Sequence, residues 1–308
     1  PALPGLLADF IATRGNGVSY GYAVKPSENN YAKSLRQYYP TANDSSILVP
    51  LSAFDMLGVF AEQPPKVLES GDLYEFTRYV LVGYGDVGSI RDVYHDIRDD
   101  IIGTLSAKVV DPINEKQKKN AGIRGLSIVV YDSKKKPISQ YTTDTNGNII
   151  GNLLAGDYYY NIISDAWSLK DSYIPFSIEE NKTTKIIITP QSPAEIVVNV
   201  TDSQEKPLPA KITVVQSRAI HEKDINKKSW EHLFDPASGE HFRYSMIDPY
   251  NQKLLHFIEK ISFTQQGNAQ LMVRPGDYQV YVSRGPEYDV EVREVSLKTE
   301  DTIELSVI

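Results

Sequence analysis

The sequence predicts a mainly β fold made of small sandwich domains, and three observations support this prediction. The apolar residues occur mostly in short runs rich in Val, Ile, Thr and Tyr, which Gly, Pro, Asn or Asp interrupt at regular intervals. A set of turn residues recurs further along the chain at a constant spacing. Strands do not alternate with helices, so a parallel α/β sheet is not expected. We therefore expect a partial N-terminal β-sandwich, one connecting helix and two tandem β-sandwich modules.

Strands are predicted wherever such an apolar run is bounded by turn residues. In the first half of the chain they are Ser19 to Val24, Ile47 to Leu51, Tyr74 to Val82, Thr104 to Val110, Leu126 to Tyr131 and Tyr158 to Ile163. In the second half they are Lys185 to Thr189, Ile196 to Val200, Ile212 to Gln216, Tyr278 to Ser283, Val290 to Leu297 and Thr302 to Val307. Their shortness and regular spacing are typical of β-sandwiches.

One helix is predicted clearly, at Asp86 to Arg98. Asp86 is suited to cap its N-terminus, and the apolar residues from Val87 to Ile97 recur at helical spacing. A weaker helical pattern covers Leu254 to Ile258. Little else in the chain has helical periodicity, so we expect the first helix to connect β domains.

The two modules are predicted from an internal repeat. Gly147-Asn148 recurs as Gly267-Asn268, and Gly156-Asp157-Tyr158 recurs as Gly276-Asp277-Tyr278, in both cases 120 positions later. In each copy the first pair starts a strand, and the second group turns into a strand rich in aromatic residues. Residues 178–188 and 292–307 are expected to form equivalent final hairpins. The second copy carries an insertion at about 218–260, and long insertions are usually functional segments or interfaces.

These features divide the chain into three regions. Residues 1–102 form an N-terminal β-sandwich region that ends in the helix, residues 103–190 the first module, and residues 191–308 the second. Pro190 to Pro193 is the predicted linker between the modules, since a proline stands at each of its ends.

Composition excludes several classes of function. The chain has 308 residues, with 32 Lys and Arg against 40 Asp and Glu, which gives a formal net charge of −8 and no basic surface for nucleic acid. It has no cysteine, so disulfides, thiolate metal sites and cysteine nucleophiles are excluded. No apolar run approaches the roughly 18 residues needed to span a membrane. The first residue is not Met, so we expect a mature or trimmed chain.

A glycine motif suggests an enzymatic alternative. Gly83, Gly85 and Gly88 form a Gly-x-Gly-x-x-Gly pattern between a predicted strand and the predicted helix, and Asp111 ends the next strand. This outline is typical of a dinucleotide-binding βαβ unit. Against it, the strand before the motif alternates between apolar and polar residues, and Asp86 would repel a phosphate at the helix N-terminus. We expect a helical connector instead.

Acidic and histidine side chains suggest metal sites, each with a plainer interpretation. The cluster on the helix consists of Asp92, His95, Asp96, Asp99 and Asp100. His95 and Asp99 are four residues apart and share a face, but we expect a solvated polar face there. In the insertion, His232 and His241 lie nine residues apart with no regular spacing. We expect the aromatic residues near them, Trp230 included, to pack against their own sandwich or a neighbouring domain.

Exposed aromatic rings can also bind sugars by stacking. Tyr158, Tyr159 and Tyr160 are consecutive, and strand alternation places the first and third on one face and the second on the other. At least one face belongs to the core, so we expect two of the three to pack there. The ligand-binding candidates of the chain are Trp167, Trp230, His232 and His241.

The turn residues of the repeat resemble those of a known module. Residues 144–148 (Asp-Thr-Asn-Gly-Asn), followed by Gly156-Asp157-Tyr158, resemble the carboxypeptidase regulatory-like domain, a transthyretin-like, Ig-like sandwich that accompanies many secreted enzymes. A more specific likeness lies in Ser283 to Asp289, Thr77 to Gly83 and Gly85 to Val87. These segments are similar to the non-catalytic N-terminal half of bacterial PHP-type metallohydrolases, in the branch of carbaryl hydrolase and a microcin-processing protein. The likeness covers about residues 50–308.

The resemblance implies an accessory region that positions or shields the active site of a metal-dependent hydrolase domain. In that family the catalytic barrel opens with a His-x-His pair after the last strand, and this sequence ends at Ile308 without one. We therefore expect no catalytic, cofactor-binding or metal-binding residue here, so that this chain is not itself an enzyme. The expected location is exported, periplasmic or extracellular.

The same resemblance implies the partners. The expected partner is a C-terminal catalytic domain of the same polypeptide, and Arg284, Glu287 and Tyr288 are the residues expected at that interface. A stand-alone carbohydrate- or surface-binding module, with a glycan as its ligand, is the alternative. A nucleotide-binding enzyme that uses Gly83 to Gly88 is the third hypothesis.

Overall fold

The computed structural model describes residues 6–8, 10–14, 17–24, 47–49, 70, 78–113, 121–164, 166–171, 173–221, 244–245 and 254–308. It confirms the predicted fold class, because these residues form a mainly β protein with several antiparallel or mixed sheets. Two β-sandwiches with the same strand order follow two smaller N-terminal sheets.

The N-terminal region combines short strands with one helix. Its strands are β1 (Leu6–Ala8), β2 (Phe10–Arg14), β3 (Ser19–Val24), β4 (Ile47–Val49) and β5 (Arg78–Gly83), and its helix is α1 (Val87–Arg98). β1 pairs with β4, while β2, β3 and β5 form an antiparallel sheet in that order. α1 packs on this sheet, since Ile90 and Tyr94 are buried against Ala23 and Leu81.

The first sandwich, module 1, contains seven strands. They are β6 (Ile102–Val109), β7 (Ser127–Tyr131), β8 (Pro137–Thr142), β9 (Asn148–Leu154), β10 (Gly156–Ile163), β11 (Ile174–Ile178) and β12 (Thr183–Ile188). One sheet has the order β12-β6-β9 and the other the order β11-β10-β7-β8. Alternate residues of both sheets, such as Leu105, Val130 and Tyr160, fill the core between them.

The second sandwich, module 2, has the same seven strands and one short addition. They are β13 (Ala194–Val200), β14 (Ala210–His221), β15 (Tyr244–Ser245), β16 (Leu254–Thr264), β17 (Asn268–Val273), β18 (Gly276–Ser283), β19 (Glu291–Leu297) and β20 (Thr302–Val307). The sheets have the orders β17-β13-β20 and β15-β16-β14-β18-β19. The added strand is β15.

The repeated turn residues hold equivalent positions in the two modules. Tyr158 donates its hydroxyl to the carbonyl oxygen of Leu154 at 2.8 Å, and Tyr278 donates to that of Arg274 at 2.6 Å. Each tyrosine thereby closes the turn that leads into its own strand, β10 or β18. This shared turn explains why Gly-Asp-Tyr recurs.

Two expectations about strands and helices are wrong. Leu254 to Ile258 is not helical but begins β16, because pairing with β14 outweighs a short helical pattern. The final strands of each module are not hairpins either. β11 pairs with β10, whereas β12 crosses to the other sheet and pairs in parallel with β6. β19 and β20 do the same, since the last strand of each sandwich completes the sheet begun by the first.

The glycine motif does not form a dinucleotide-binding unit. β5 runs antiparallel to β3, and β6 belongs to a different sheet, so the parallel β5-α1-β6 arrangement does not exist. Asp86 caps α1 as predicted, accepting a hydrogen bond from the Ser89 N–H at 2.8 Å. Gly88 is needed for packing, because a Cβ there would lie 2.0 Å from the ring of Tyr141.

Candidate functional site

A polar cleft of about 410 Å³ lies where the two modules meet. Residues of module 1, of the linker and of module 2 line it together. They are Ser168, Leu169, Gln191, Gln216, Ser217, Arg218, Arg274, Pro275, Gly276, Asp277 and Tyr278. Clefts at domain junctions are common sites for small ligands.

The linker holds the two walls of the cleft in a fixed relation. The Gln191 N–H donates to the carbonyl oxygen of Ser168 in module 1 at 2.8 Å. The next residue, Ser192, is buried and lies 3.2 Å from a carboxylate oxygen of Glu300 in module 2, to which its hydroxyl donates. The Glu300 N–H in turn donates to the carbonyl oxygen of Pro193. Successive linker residues are therefore bonded to opposite modules.

A buried ion pair borders the cleft on the module 2 side. Glu259 lies at an irregularity in the pairing of β16 with β14, where Lys260 pairs with Val214 and Ile258 with Val215. Such a bulge redirects a side chain, and here the Glu259 side chain is fully buried. Arg274 donates to it from both Nε, at 2.7 Å, and Nη2, at 2.9 Å. This two-point contact satisfies both carboxylate oxygens.

Gln216 connects the ion pair with the cleft. Its side-chain Nε2 lies 3.4 Å from a carboxylate oxygen of Glu259, and its carbonyl oxygen lies 3.0 Å from Nδ1 of the buried His256. Both ends of the residue are thus held, and its position in the cleft wall is defined. The guanidinium of Arg274 also stacks 5.3 Å from the centre of the Phe257 ring.

Tyr278 is a buried residue of the same wall. Only 1% of the residue is exposed, and burial, followed by the charge of Glu259, raises the pKa of its hydroxyl above the usual range. The hydroxyl therefore stays protonated and donates to the Arg274 carbonyl oxygen. Asp277, the preceding residue, is exposed at the cleft.

The lining offers donors and acceptors of several kinds within one small volume. Arginine supplies only donors, a carboxylate supplies only acceptors, and serine and glutamine supply both. This mixture suits an uncharged ligand with several hydroxyl groups, each of which needs a donor and an acceptor. Leu169 and Pro275 add apolar surface beside them.

One of the four ligand-binding candidates predicted from the sequence lies next to a residue of this cleft. Trp167 precedes Ser168 and packs, partly buried, against the core of module 1. Trp230, His232 and His241 lie outside the described residues. The prediction about the tyrosine run is confirmed, because Tyr158 and Tyr160 are in the core.

The residues predicted at an interdomain interface lie elsewhere, in the loop between β18 and β19. The Arg284 guanidinium lies 4.8 Å from the centre of the Tyr288 ring, and Tyr288 and Glu287 are exposed. Nη1 of Arg284 is buried without a hydrogen-bond partner among the described residues. This loop follows the end of β18, whereas the cleft lies at its start, so the two sets of residues are not brought together.

The polar face of α1 is only partly the solvated surface that we expected, because Asp96 and Asp99 are exposed whereas Asp92, His95 and Asp100 are not. Asp92 accepts a hydrogen bond from the Asn152 N–H at 2.7 Å, and burial raises the pKa of this carboxyl to about 6. His95 is buried, lies 2.9 Å from Asp100, and has its pKa lowered by burial. The reason is that this face of the helix packs on β8 and β9. Across the described ranges, no three His, Asp or Glu side chains gather as metal ligands.

Sequence reasoning missed the polar residues of the cleft. Arg274 stands where the first copy of the repeat has Leu154, 120 positions earlier, and this difference was a usable signal. Glu259 gave none, because Lys260 follows it directly and other polar residues lie nearby in the same strand. The contribution of Ser168 and Gln191 had no such signal, since it depends on how the modules meet.

Comparisons with known proteins give only distant likenesses. No family model matches the chain, and no curated protein matches it. Among solved structures, the TIE protein of Bacillus anthracis is 18% identical with a TM-score of 0.29, the match covering 67% of this chain and 34% of that one. GBS52, the minor pilin of Streptococcus agalactiae, is 15% identical with a TM-score of 0.32, covering 67% and 94%. A putative cell adhesion protein of Bacteroides ovatus is 7% identical with a TM-score of 0.28, covering 66% and 91%.

This chain therefore spans about a third of the TIE protein structure that it matches. Within the described part of the chain, no helix has the length and apolar character required to cross a membrane.

Proposed function

We propose that this chain is a non-catalytic β-sandwich region of an exported protein, and that it binds a glycan or similar polyhydroxyl ligand in the cleft between its modules. The observation that carries the proposal is the cleft itself, to which both modules and the linker contribute polar groups. Its position is fixed by the bonds from Gln191 to one module and from Ser192 to the other.

The chemistry of the lining supports this ligand class. A sugar hydroxyl donates one hydrogen bond and accepts others, and the cleft has carboxylate, amide, hydroxyl and guanidinium groups around one volume. The buried ion pair holds Gln216 and Arg274 in place before any ligand arrives. A site that is already ordered loses less conformational entropy on binding.

The repeat provides a matched test of the cleft. Asp277 lines the cleft and is exposed, and Asp157 holds the equivalent position in module 1, away from it. We expect the full chain to bind at least one glycan on an array, Asp277→Ala to weaken that binding, and Asp157→Ala to leave it unchanged. Titration calorimetry with the selected glycan measures the change. An array without signal, or equal loss in both variants, contradicts the proposal.

A second candidate function, the accessory region of a PHP-type metallohydrolase, is favoured by the loop between β18 and β19. Arg284 has a buried nitrogen without a described partner, beside the exposed Tyr288. A catalytic domain seated on this loop would supply an acceptor for that nitrogen. This candidate would position or shield the active site of that domain.

The second candidate is tested with two fragments. The segment encoded immediately after Ile308 is expressed separately and titrated into this chain. We expect Arg284→Ala to weaken binding, and Arg293→Ala, which changes an exposed arginine paired with Glu291, to leave it unchanged. Absence of a His-x-His barrel in that coding region, or unchanged binding by Arg284→Ala, contradicts this candidate.

A further inference from the structure

Module 1 has one edge of its sandwich covered by a helix. α1 lies across the edge formed by β8 and β9 and contacts both strands. Asp86 accepts from the Thr142 N–H of β8 at 3.0 Å, and Asp92 accepts from the Asn152 N–H of β9 at 2.7 Å. Two carboxylates, six residues apart on one helix, thus satisfy the outermost N–H groups of two edge strands. Edge strands left open invite pairing with other chains, and a helix is one way to cover them.

The equivalent edge of module 2 is formed by β16 and β17. Pairing with the inner strands fixes the equivalence, because Tyr141 pairs with the core residue Ile128 and Ser262 with the core residue Ile212. Gln140 and Thr142 of β8 therefore correspond to Ile261 and Phe263 of β16. The constant spacing of 120 in the repeat makes Asn152 of β9 correspond to Met272 of β17.

The polarity at these positions is inverted between the two edges. At these positions module 1 has the polar Gln140, Thr142 and Asn152, none of which is exposed. In module 2 the same positions are apolar and exposed. Phe263 is 74% exposed, Ile261 44% and Met272 42%. Met272 lies on the outer face of the other sheet, because its neighbours Leu271 and Val273 are in the core. We call Ile261 and Phe263, which share the outer face of β16, the module 2 edge patch.

The edge next to this patch is open in the described part of the chain. β15 pairs with β16 only at His256 and Phe257, so the rest of β16 has β14 on one side alone. The insertion leaves β14 at His221 and returns at Leu254, which is the end of β16 opposite Phe263. Exposed apolar side chains beside an open edge mark an interaction surface.

The charges around the patch are mainly positive. The Lys211 ammonium lies 6.0 Å from the centre of the Phe263 ring, and the Lys260 ammonium donates to the Met272 carbonyl oxygen at 3.2 Å, between the two edge strands. The acidic Glu195 lies across from Met272 on β13, where Thr302 donates to it at 3.4 Å. A partner with acidic groups is therefore favoured on the Phe263 side.

We infer that the module 2 edge patch is a docking surface for an acidic, amphipathic helix of a partner protein. The apolar face of the helix would cover Phe263 and Ile261, and its carboxylates would lie near Lys211 and Lys260. The partner helix would cover this edge of module 2 as α1 covers the equivalent edge of module 1. Its contacts would be more apolar, whereas α1 accepts hydrogen bonds at Asp86 and Asp92. It is independent of the ligand proposed for the cleft.

The test uses the full chain and a labelled synthetic peptide of 18 residues, with leucines on one helical face and glutamates on the other. Fluorescence anisotropy measures its binding, and a peptide with lysines in place of the glutamates is the charge control. The variant Ile261→Gln/Phe263→Thr gives module 2 the residues of module 1. Ile187→Thr is the matched control, because Ile187 is 71% exposed on β12 of the other module.

We expect the acidic peptide to bind, and the double variant and the lysine peptide each to show an affinity at least about ten-fold weaker. Ile187→Thr should bind like the unchanged chain, and circular dichroism should show that both variants are folded, since the changed side chains are exposed. Absence of saturable binding, equal binding of both peptides, or equal affinity of the double variant overturns the inference. Light scattering gives a further test. If the unchanged chain is a dimer and the double variant is a monomer, the patch binds a second copy of the chain, and the inference is overturned.

Discussion

Replacing Arg274 with methionine should destabilise module 2 strongly at neutral pH. The substitution keeps much of the side-chain volume against Phe257 but removes the two N–H groups that bind Glu259. The Glu259 side chain is fully buried, and its remaining described partner is the amide of Gln216 at 3.4 Å. The variant therefore leaves a buried carboxylate without its counter-ion.

The burial of the pair sets the magnitude of this loss. Breaking a buried pair by removal of one partner typically costs about 3–5 kcal/mol. We therefore expect the free energy of unfolding at neutral pH to fall by about 3–5 kcal/mol.

Urea unfolding at pH 7, followed by circular dichroism, measures the loss. Arg293→Met is the matched control, because Arg293 pairs with Glu291 on the surface and such pairs contribute less than about 1 kcal/mol. Adding Glu259→Gln to Arg274→Met should recover part of the stability, because no charge is then buried without its counter-ion. A loss below about 1 kcal/mol, or no recovery in the double variant, would refute the reasoning that the pair is buried and coupled.

Three further predictions concern the helix and the repeated turn. Burial raises the pKa of Asp92 to about 6, so the stability linked to its proton is present below about pH 3.8 and lost as the pH rises through 6. In urea unfolding at pH 7, the free energy of unfolding of Asp92→Asn should exceed that of the parent by about 1–2 kcal/mol after allowance for partial exposure. At pH 3.5 the two proteins should be equally stable. Gly88→Ala should cost about 1–3 kcal/mol in urea unfolding, because its methyl group meets the Tyr141 ring. Tyr278→Phe and Tyr158→Phe should each cost about 1 kcal/mol in the same assay.

Thr302–Val307 is predicted accurately because its local pattern agrees with its burial. The strand begins and ends where the sequence predicts, since apolar and polar residues alternate along it without interruption. The helix from Val87 was equally readable, since its cap and its periodicity agree. Local propensity and tertiary packing give the same answer at these elements.

β9 is predicted only through the Gly147-Asn148 turn that starts it, because its composition does not favour a strand. It reads Asn-Ile-Ile-Gly-Asn-Leu-Leu, and glycine and asparagine are poor strand formers. Gly151 is nevertheless required there, because a Cβ would lie 2.1 Å from the ring of Tyr141. The same ring excludes a side chain at Gly88 of α1. A glycine that is required for close packing against another element does not indicate the helix or strand in which it lies.

The cleft was beyond sequence reasoning for a related reason. Its walls come from segments around Ser168, Gln191, Gln216 and Arg274, which only the pairing of the modules brings together. The burial of Glu259 depends on a single irregularity in the pairing of β16 with β14. Neither a domain junction nor a bulge produces a periodic sequence pattern from which it could be predicted.

Differences between the two modules mark the positions where folding alone does not determine the residue. Both modules reach the same strand order, so that order is compatible with Leu154 or Arg274 before the shared turn, and with Thr142 or Phe263 on the edge strand. A buried arginine–glutamate pair is seldom more stabilising than an apolar pair of similar size. An exposed phenylalanine adds no burial to its own module. Both substitutions are therefore better explained by what module 2 contacts than by what holds it together, and one borders the cleft while the other lies in the edge patch.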